Sequence, residues 1–304
     1  MDCREMSSDD AQQKITFAWW NTSLAPSAVT RSTLEQRDVA CSVILYLMAV
    51  SHADLIALGE MSNEDFAYIS SKCKTEGYIF VNEISKAGRS SFDVCYIYNS
   101  KKIYIYSSKD ITSDRGSSTL KVAKKLELFV SGSESLFHIY ISHWPSRLWC
   151  HQHDAKRHLL GMRLRDSIDD IIVSGSANPF VVLLGDYNDE PFDESMSQQL
   201  MASRDIDLVH RRQHLLYNPF WKYLSKPQSE SPIAGSYYYK SGEVTRWHTF
   251  DQVIFSHAFV DAREWRLAND CEHILEFSDY TQLVKDSSSK FDHLPVYGTI
   301  ERVA

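Results

Sequence analysis

Hydrophobic residues along this chain come in short, unbroken runs that stop abruptly at polar clusters. The plainest case is Phe180-Val181-Val182-Leu183-Leu184, followed by Gly185, Asp186, Tyr187, Asn188, Asp189, Glu190 and Pro191. A Val- and Leu-rich run this short predicts a strand buried on both faces, and Pro191 bars its continuation. Three further runs repeat the form. Lys14–Trp20 ends at Asn21-Thr22-Ser23, Leu55–Leu58 at Gly59-Glu60, and Leu136–Ser142 at His143-Trp144-Pro145-Ser146-Arg147. In open α/β sheets such strand ends are where ligands bind.

Between the runs the period changes. Val39, Val43 and Leu47 recur at helical spacing, and Ser32 with Glu35 reads as a capping box opening a helix over 32–52. Ser62 with Asp65 opens a second helix to about Glu76, and 154–174 forms a third. Tyr78–Glu83, Asp93–Tyr98, Ile103–Tyr106 and Ala123–Val130 alternate and are divided by turn clusters, which predicts antiparallel hairpins. Residues 107–122, rich in Ser and Lys, read as a mobile loop, and 203–232 as a long loop with short helical pieces. Tyr237–Tyr239, Thr249–Phe255 and Val296–Val303 are further strands. The pattern predicts a flexible leader over 1–13 and one α/β domain of two packed sheets over 14–304.

Composition narrows the class. Hydrophobic residues at 43% and charged residues at 24% supply a full globular core. The first ten residues are polar, and no run approaches the roughly 20 apolar residues of a membrane span. The expectation is therefore a chain without membrane association. Six cysteines stand at 3, 41, 73, 95, 150 and 271 without a CxxC pair, which points to buried reduced thiols and a cytoplasmic protein. A net charge of −8 argues against coating nucleic acid by bulk electrostatics, though not against local phosphate contacts through a divalent ion.

The strand ends hold the candidate chemistry: Asn21, Glu60, His143, Asp186 with Asn188, and Asp292 with His293. Asp251 joins them, because a carboxylate inside the aromatic strand Thr249–Phe255 is costly unless it is paired. Oxygen donors without a Cys cluster suit Mg²⁺ or Mn²⁺ rather than zinc. His151, His153 and His158 complete no zinc pattern and read as surface or helix-start residues. Glu60 alone would equally favour the dipole of the helix opening at Ser62. Arg147 either contacts a phosphate or braces a carboxylate. The basic and aromatic stretch 204–226 is a candidate for substrate stacking.

Six motifs in order carry a resemblance. Trp20-Asn21, Leu58-Gly59-Glu60, His143-Trp144-Pro145-Ser146-Arg147, Gly185-Asp186-Tyr187-Asn188-Asp189, Phe250-Asp251-Gln252 and Asp292-His293-Leu294-Pro295 together resemble the endonuclease/exonuclease/phosphatase superfamily, which is deoxyribonuclease I-like. The resemblance spans roughly residues 15–302. It implies a four-layer α/β/β/α sandwich of two mixed sheets and a hydrolase of phosphoester bonds. It implies Glu60 as the main metal ligand, with Asn21 and Asp292 close by. Asp186 would orient or deprotonate the attacking water, and Asn188 would hold the scissile phosphate. His293, polarised by Asp251, would bind a phosphate oxygen, while His143 would bind phosphate or protonate the leaving group. Three positions depart from the family pattern: Gly59 replaces a Gln, Ser23 an acidic or amide residue, and Phe291 a Ser.

The chemistry agrees with these roles, since in-line water attack needs charge neutralised on the phosphoryl oxygens and a proton for the leaving oxygen. The leading expectation is a metal-dependent nuclease acting on DNA or RNA. The alternatives are a phosphatase or phosphodiesterase on a small-molecule or lipid phosphoester, and a non-catalytic binding module. The sequence names no protein partner.

Overall fold

The computed structural model describes residues 12–26, 31–88, 90–116, 118–175, 177–225 and 233–303. Most of the expected leader lies outside the described residues. In chain order, β1 (Lys14–Asn21), α1 (Leu34–Ala49), β2 (Leu55–Gly59) and α2 (Asn63–Lys72) come first. β3 (Tyr78–Asn82), β4 (Ser85–Ala87), β5 (Ser90–Phe92) and β6 (Cys95–Asn99) follow. Next are β7 (Ile103–Arg115), β8 (Ser118–Val130), β9 (Leu136–His143), α3 (Ala155–Val173) and β10 (Phe180–Asp186). β11 (Ala202–Ser203), α4 (Ile206–Arg211), β12 (Leu216–Tyr217), β13 (Tyr237–Tyr238) and β14 (Trp247–His248) are short. The chain closes with β15 (Asp251–Ser256), α5 (His257–Asp261), β16 (Trp265–Ile274), α6 (Ser278–Lys285) and β17 (Val296–Arg302).

Two mixed sheets face each other, ordered β16-β17-β1-β2-β6-β3 and β11-β12-β15-β10-β9-β8-β7. The unbroken apolar runs are explained by what covers each face. Val182 and Leu184 of β10 point into the core between the sheets, with Phe17 and Trp19 of β1. Val181 and Leu183 point outward onto α3, against Leu160, Leu164 and Ile168. On the other side α1 lays Ala40, Val43, Ile44 and Leu47 into the inter-sheet core's outer layer. This is the α/β/β/α layering the sequence predicts.

Register aligns the chemistry. β1 runs parallel to β2 with Asn21 beside Gly59. β9 runs parallel to β10 with His143 beside Asp186, and antiparallel β15 places Asp251 on the other side of Asp186. Strand ends separated by up to 230 positions in sequence thus meet on one rim.

Three local expectations are corrected. Residues 107–122 are not a loop but the outer part of the long β7–β8 hairpin. Leu120, Val122, Leu126, Leu128 and Val130 are buried in alternation, so the Ser and Lys residues mark an exposed face rather than absent structure. Helix α1 is capped by Thr33 with Gln36, not Ser32 with Glu35, because the Ser32 hydroxyl donates to Asp65 instead. The capping box at Ser62 and Asp65 forms as expected. The stretch 203–232 has the expected short helical pieces, α4 and a 3-10 turn at Pro219–Ser225, but also the short strands β11 and β12 that join it to the sheet, while residues 226–232 lie outside those described. Strand β16 and helix α6 add to the expected elements: β16 depends on pairing with β17, while in α6 Tyr280, Leu283 and Val284 recur at helical spacing and face the core. Among the described residues, Cys41, Cys73, Cys95, Cys150 and Cys271 are free and buried, and no helix is long and apolar enough to cross a membrane.

Candidate active site

The rim residues converge on Asp186, whose side chain is buried. Its Oδ1 accepts the Asn188 backbone N–H at 2.8 Å, and its Oδ2 accepts Asn21 Nδ2 at 3.2 Å. Two imidazoles face the same Oδ2, His293 Nε2 at 3.8 Å and His143 Nε2 at 4.0 Å. Asn21 Nδ2 also reaches Glu60 Oε1 at 3.3 Å, and His143 Nε2 stands 3.9 Å from that atom. Asp292 approaches from the last loop, with Oδ1 4.0 Å from His293 Nε2 and accepting Ser23 Oγ at 2.8 Å. Ser23, where the family pattern has an acid or amide, is thus tied to the carboxylate beside the site. The structure brings together Asn21, Glu60, His143, Asp186, Asp251, Asp292 and His293; Asn188 joins them through its backbone N–H, while its Nδ2 donates to the Trp144 carbonyl at 3.1 Å, and Arg147 lies behind the loop.

Each histidine has its own carboxylate. His293 Nδ1 bonds Asp251 Oδ2 at 2.8 Å, and the remaining Asp251 oxygen accepts the Trp19 indole N–H at 2.7 Å. His143 Nδ1 bonds Asp93 at 3.0 and 3.1 Å, and Lys121 adds its ammonium to Asp93 at 3.5 Å. Burial pushes both imidazoles toward neutrality, but the carboxylates outweigh it. Asp93 lifts His143 to about 9, and Asp251 with Asp186 holds His293 well above the usual histidine range. In both rings the neighbouring carboxylate thus favours the charged imidazolium, with Nε2 aimed into the site.

Asp93 and Trp19 are the functional neighbours that sequence reading missed. Chemistry was sought where strands end, but β6 runs antiparallel to β2, so its start delivers Asp93 to the same rim. A carboxylate just before an antiparallel strand was the available signal. Trp19 reads as core, and it is fully buried. Only the tertiary structure turns its N–H toward Asp251.

Backbone strain concentrates here. Glu60, Asn188 and Ser23 hold φ of +53°, +51° and +52°, a left-handed conformation that costs a non-glycine residue about 1–3 kcal/mol. At Glu60 it turns the chain out of β2 so that the carboxylate faces Asn21 rather than the α2 axis. Arg147 donates Nε to the Asn188 carbonyl at 2.8 Å and Nη2 to Asp193 at 2.5 Å, and its guanidinium lies 4.5 Å over the Phe250 ring. It braces the strained loop. Beneath it, buried Arg157 donates to the carbonyls of Pro145, Cys150, His151 and Tyr187 and pairs with Asp189 at 3.4 Å.

The donor set fits a hard divalent cation. Burial raises the carboxyl groups of Glu60 and Asp186 above their ordinary range, and Asp292 and Asp93 add to this at Glu60. Crowded, desolvated carboxylates of this kind are relieved by a bound cation. Glu60 and Asp292 would hold it; Asn21, whose Nδ2 donates to Glu60 and Asp186 and whose Oδ1 accepts the Ser23 N–H, would join them as a ligand only with its amide turned over. Ligand atoms of Asp186, Asp251 and His293 also lie within 4.8 Å of one another. Both Asp251 oxygens are already committed to Trp19 and His293, so that group is a proton-holding pair rather than an ion cage.

The sequence model of the Endonuclease/Exonuclease/phosphatase family matches residues 31–299. The chain belongs to this family. It is accordingly a member of a family of phosphoester hydrolases. Solved structures show the same fold at low identity. The human Nocturnin catalytic domain with bound sulfate anion superposes with TM-score 0.63 at 16% identity, covering 95% of this chain and 94% of that one. The D. rerio TDP2 complex with single-strand DNA product gives 0.56 at 16%, covering 94% and 98%. A Bacteroides thetaiotaomicron mannosyl-6-phosphatase gives 0.60 at 12%, covering 95% and 100%. No curated protein matches the chain by sequence.

Proposed function

We propose that the protein is a divalent-metal-dependent phosphodiesterase of the nuclease type, cutting DNA or RNA by in-line attack of water. The observation that carries this reading is the placement of one buried carboxylate, Asp186, between two imidazoles, each paired with its own carboxylate. Asp186, bound to the Asn188 N–H and Asn21 amide, orients and deprotonates the attacking water. His293 donates from Nε2 to a phosphoryl oxygen, with Asp251 fixing its tautomer. His143, charged through Asp93, donates a proton to the leaving oxygen. Asn188 holds the scissile phosphate on the other side. A divalent ion, Mg²⁺ or Mn²⁺, held by Glu60 and Asp292, and by Asn21 with its amide turned over, would neutralise charge on the phosphoryl oxygens. Arg147 supports the phosphate-facing loop and is proposed to bind substrate through the same guanidinium.

The surroundings favour a polymer. The β7–β8 hairpin lies to one side of β10, and β12 with the Pro219–Ser225 turn lies to the other. On the hairpin Lys121, Lys124 and Lys125 are committed to Asp93, to Glu83 with Asp110, and to Glu127. On the opposite side Arg204 lies 5.1 Å over Trp221 with no carboxylate partner among the described residues. Neighbours acting on nucleic acid and on a sugar phosphate share this fold, so substrate must be read by assay.

The test is cleavage of supercoiled plasmid, single-stranded DNA and RNA with Mg²⁺, Mn²⁺ or EDTA, beside Asp186→Ala. Metal-dependent cutting that disappears in the variant supports the proposal and identifies the polymer. Failure on all three, with turnover of a sugar phosphate lost in the same variant, would replace it with a small-molecule phosphatase.

A further inference from the structure

A cavity of about 960 Å³ opens beside the site, far more than a single phosphate requires. Its wall continues that of the catalytic rim. The His248 ring stacks on Phe250 at 4.8 Å, Phe250 on Tyr237 at 5.3 Å, and Tyr237 lies 4.6 Å from His293. Tyr237 also meets His248 directly at 6.1 Å, so the His248 ring lies no more than about 11 Å from His293. Arg147, which supports the Asn188 loop, lines the cavity too.

The cavity's charge balance favours an anion. Glu190 faces it but is consumed, accepting His248 Nδ1 at 2.9 Å and the Thr249 N–H at 3.0 Å. Arg246 has no carboxylate partner among the described residues. It is nonetheless held in place, with Nε on the Gly242 carbonyl and Nη1 on the Tyr238 hydroxyl, both at 3.1 Å. Lys285 lines the same cavity, its ammonium 5.6 Å over Trp247. Phe192, 49% exposed, presents its ring at the same wall, edge-on to Trp221 at 6.4 Å. Glu243 lines the rim from an exposed position and opposes this charge only weakly.

We propose that this cavity is an accessory subsite for a second, non-reacting phosphate and the planar ring attached to it. The substrate would then extend at least one nucleotide beyond the scissile bond, with the phosphate on Arg246 and the base against Phe192. Positioned cations with an aromatic face are what nucleotide binding uses. The inference rests on the nuclease reading and deepens it. The same phosphate-and-ring chemistry occurs in a strand and in a free nucleotide.

The experiment uses the full chain carrying Asp186→Asn, alone and with Arg246→Glu or Phe192→Ala. Binding of a fluorescein-labelled single-stranded oligonucleotide is followed by anisotropy across salt, with a nucleoside diphosphate as competitor. Arg246→Glu is expected to weaken binding at least tenfold and to reduce the slope of log affinity against log salt. Phe192→Ala is expected to weaken it severalfold with the slope intact. In the Asp186 background that cuts, the ratio of kcat/KM for the oligonucleotide to that for bis(4-nitrophenyl) phosphate should fall about tenfold with Arg246→Glu, chiefly through KM. Unchanged binding in both variants, or an equal fall on both substrates, would overturn the subsite. Arg246-dependent binding without cutting would keep the subsite and defeat the nuclease reading, whereas cutting indifferent to Arg246 would do the reverse. Displacement by the nucleoside diphosphate at strand-like affinity would make a free nucleotide the ligand.

Discussion

The Trp19 indole occupies the space that a side chain at residue 59 would need. A Cβ on Gly59 would stand 2.5 Å from Trp19 Cη2, while the other end of the same indole donates to Asp251. Gly59, where the family pattern has Gln, is therefore coupled to the His293 pair. A side chain at 59 would meet the indole that donates to the Asp251 carboxylate.

Two variants test that coupling. Gly59→Ala is expected to destabilise by about 1–3 kcal/mol through overpacking, read as a lowered Tm. Trp19→Phe should leave Asp251 without its second donor and reduce kcat about tenfold. If the residues are coupled, the double variant will lose less stability than the two single changes together.

Asp93 is expected to govern the charge of His143. In metal-free protein, an NMR titration should place the His143 imidazole near 9. Asp93→Asn should bring it down toward the ordinary histidine value of about 6.5. A His143 value unmoved by the substitution would detach Asp93 from catalysis and leave it a packing partner only.

Arg157 holds the segment between His143 and α3 from beneath, fully buried and paired with Asp189. Arg157→Leu leaves the buried Asp189 carboxylate with only Arg147 and Ser195, and removes the donor to the Pro145, Cys150 and Tyr187 carbonyls, at a cost of roughly 3–5 kcal/mol. Chemical denaturation measures this directly. The loop from Pro145 to His151 should also gain hydrogen exchange, since its carbonyls lose their common donor.

Asp65 carries a pH-dependent share of stability. Burial raises its carboxyl group, but hydrogen bonds from Ser32, Ser62 and Arg37 outweigh this and lower it. Its contribution is thus present above the unfolded value of about 3.9 and lost as pH falls through the lower folded value. Asp65→Asn should cost about 1–2 kcal/mol near pH 7, in the range of a lost helix cap. The gap to the parent protein should close in acid unfolding series below pH 4. A gap constant with pH would mean packing, not charge, decides it.

Glu60→Gln addresses the proposed metal site without relying on turnover. Calorimetric titration of Mn²⁺ should show binding weakened at least tenfold, because Asp292 remains but the partly buried Glu60 charge is gone. Equal affinity in the two proteins would move the ion elsewhere on the rim.

The sequence by itself determined the layered fold and most of the rim. Apolar runs such as Phe180–Leu184 can be satisfied only with both faces covered, and the residues that end them are polar because they leave the core. Asn21, Glu60, His143, Asp186 and His293 were legible for that reason. The tertiary structure decided what linear order cannot encode. Asp93 reached His143 through antiparallel pairing of β6 with β2, and Trp19 reached Asp251 across the space between the two sheets. The β7–β8 hairpin was hidden by a polar exposed face whose alternation shows only against its covered side. The cavity beside the site is likewise a product of assembly, since its walls come from segments 147–152, 190–192, 223–224, 234–249 and residue 285, which meet only when both sheets close.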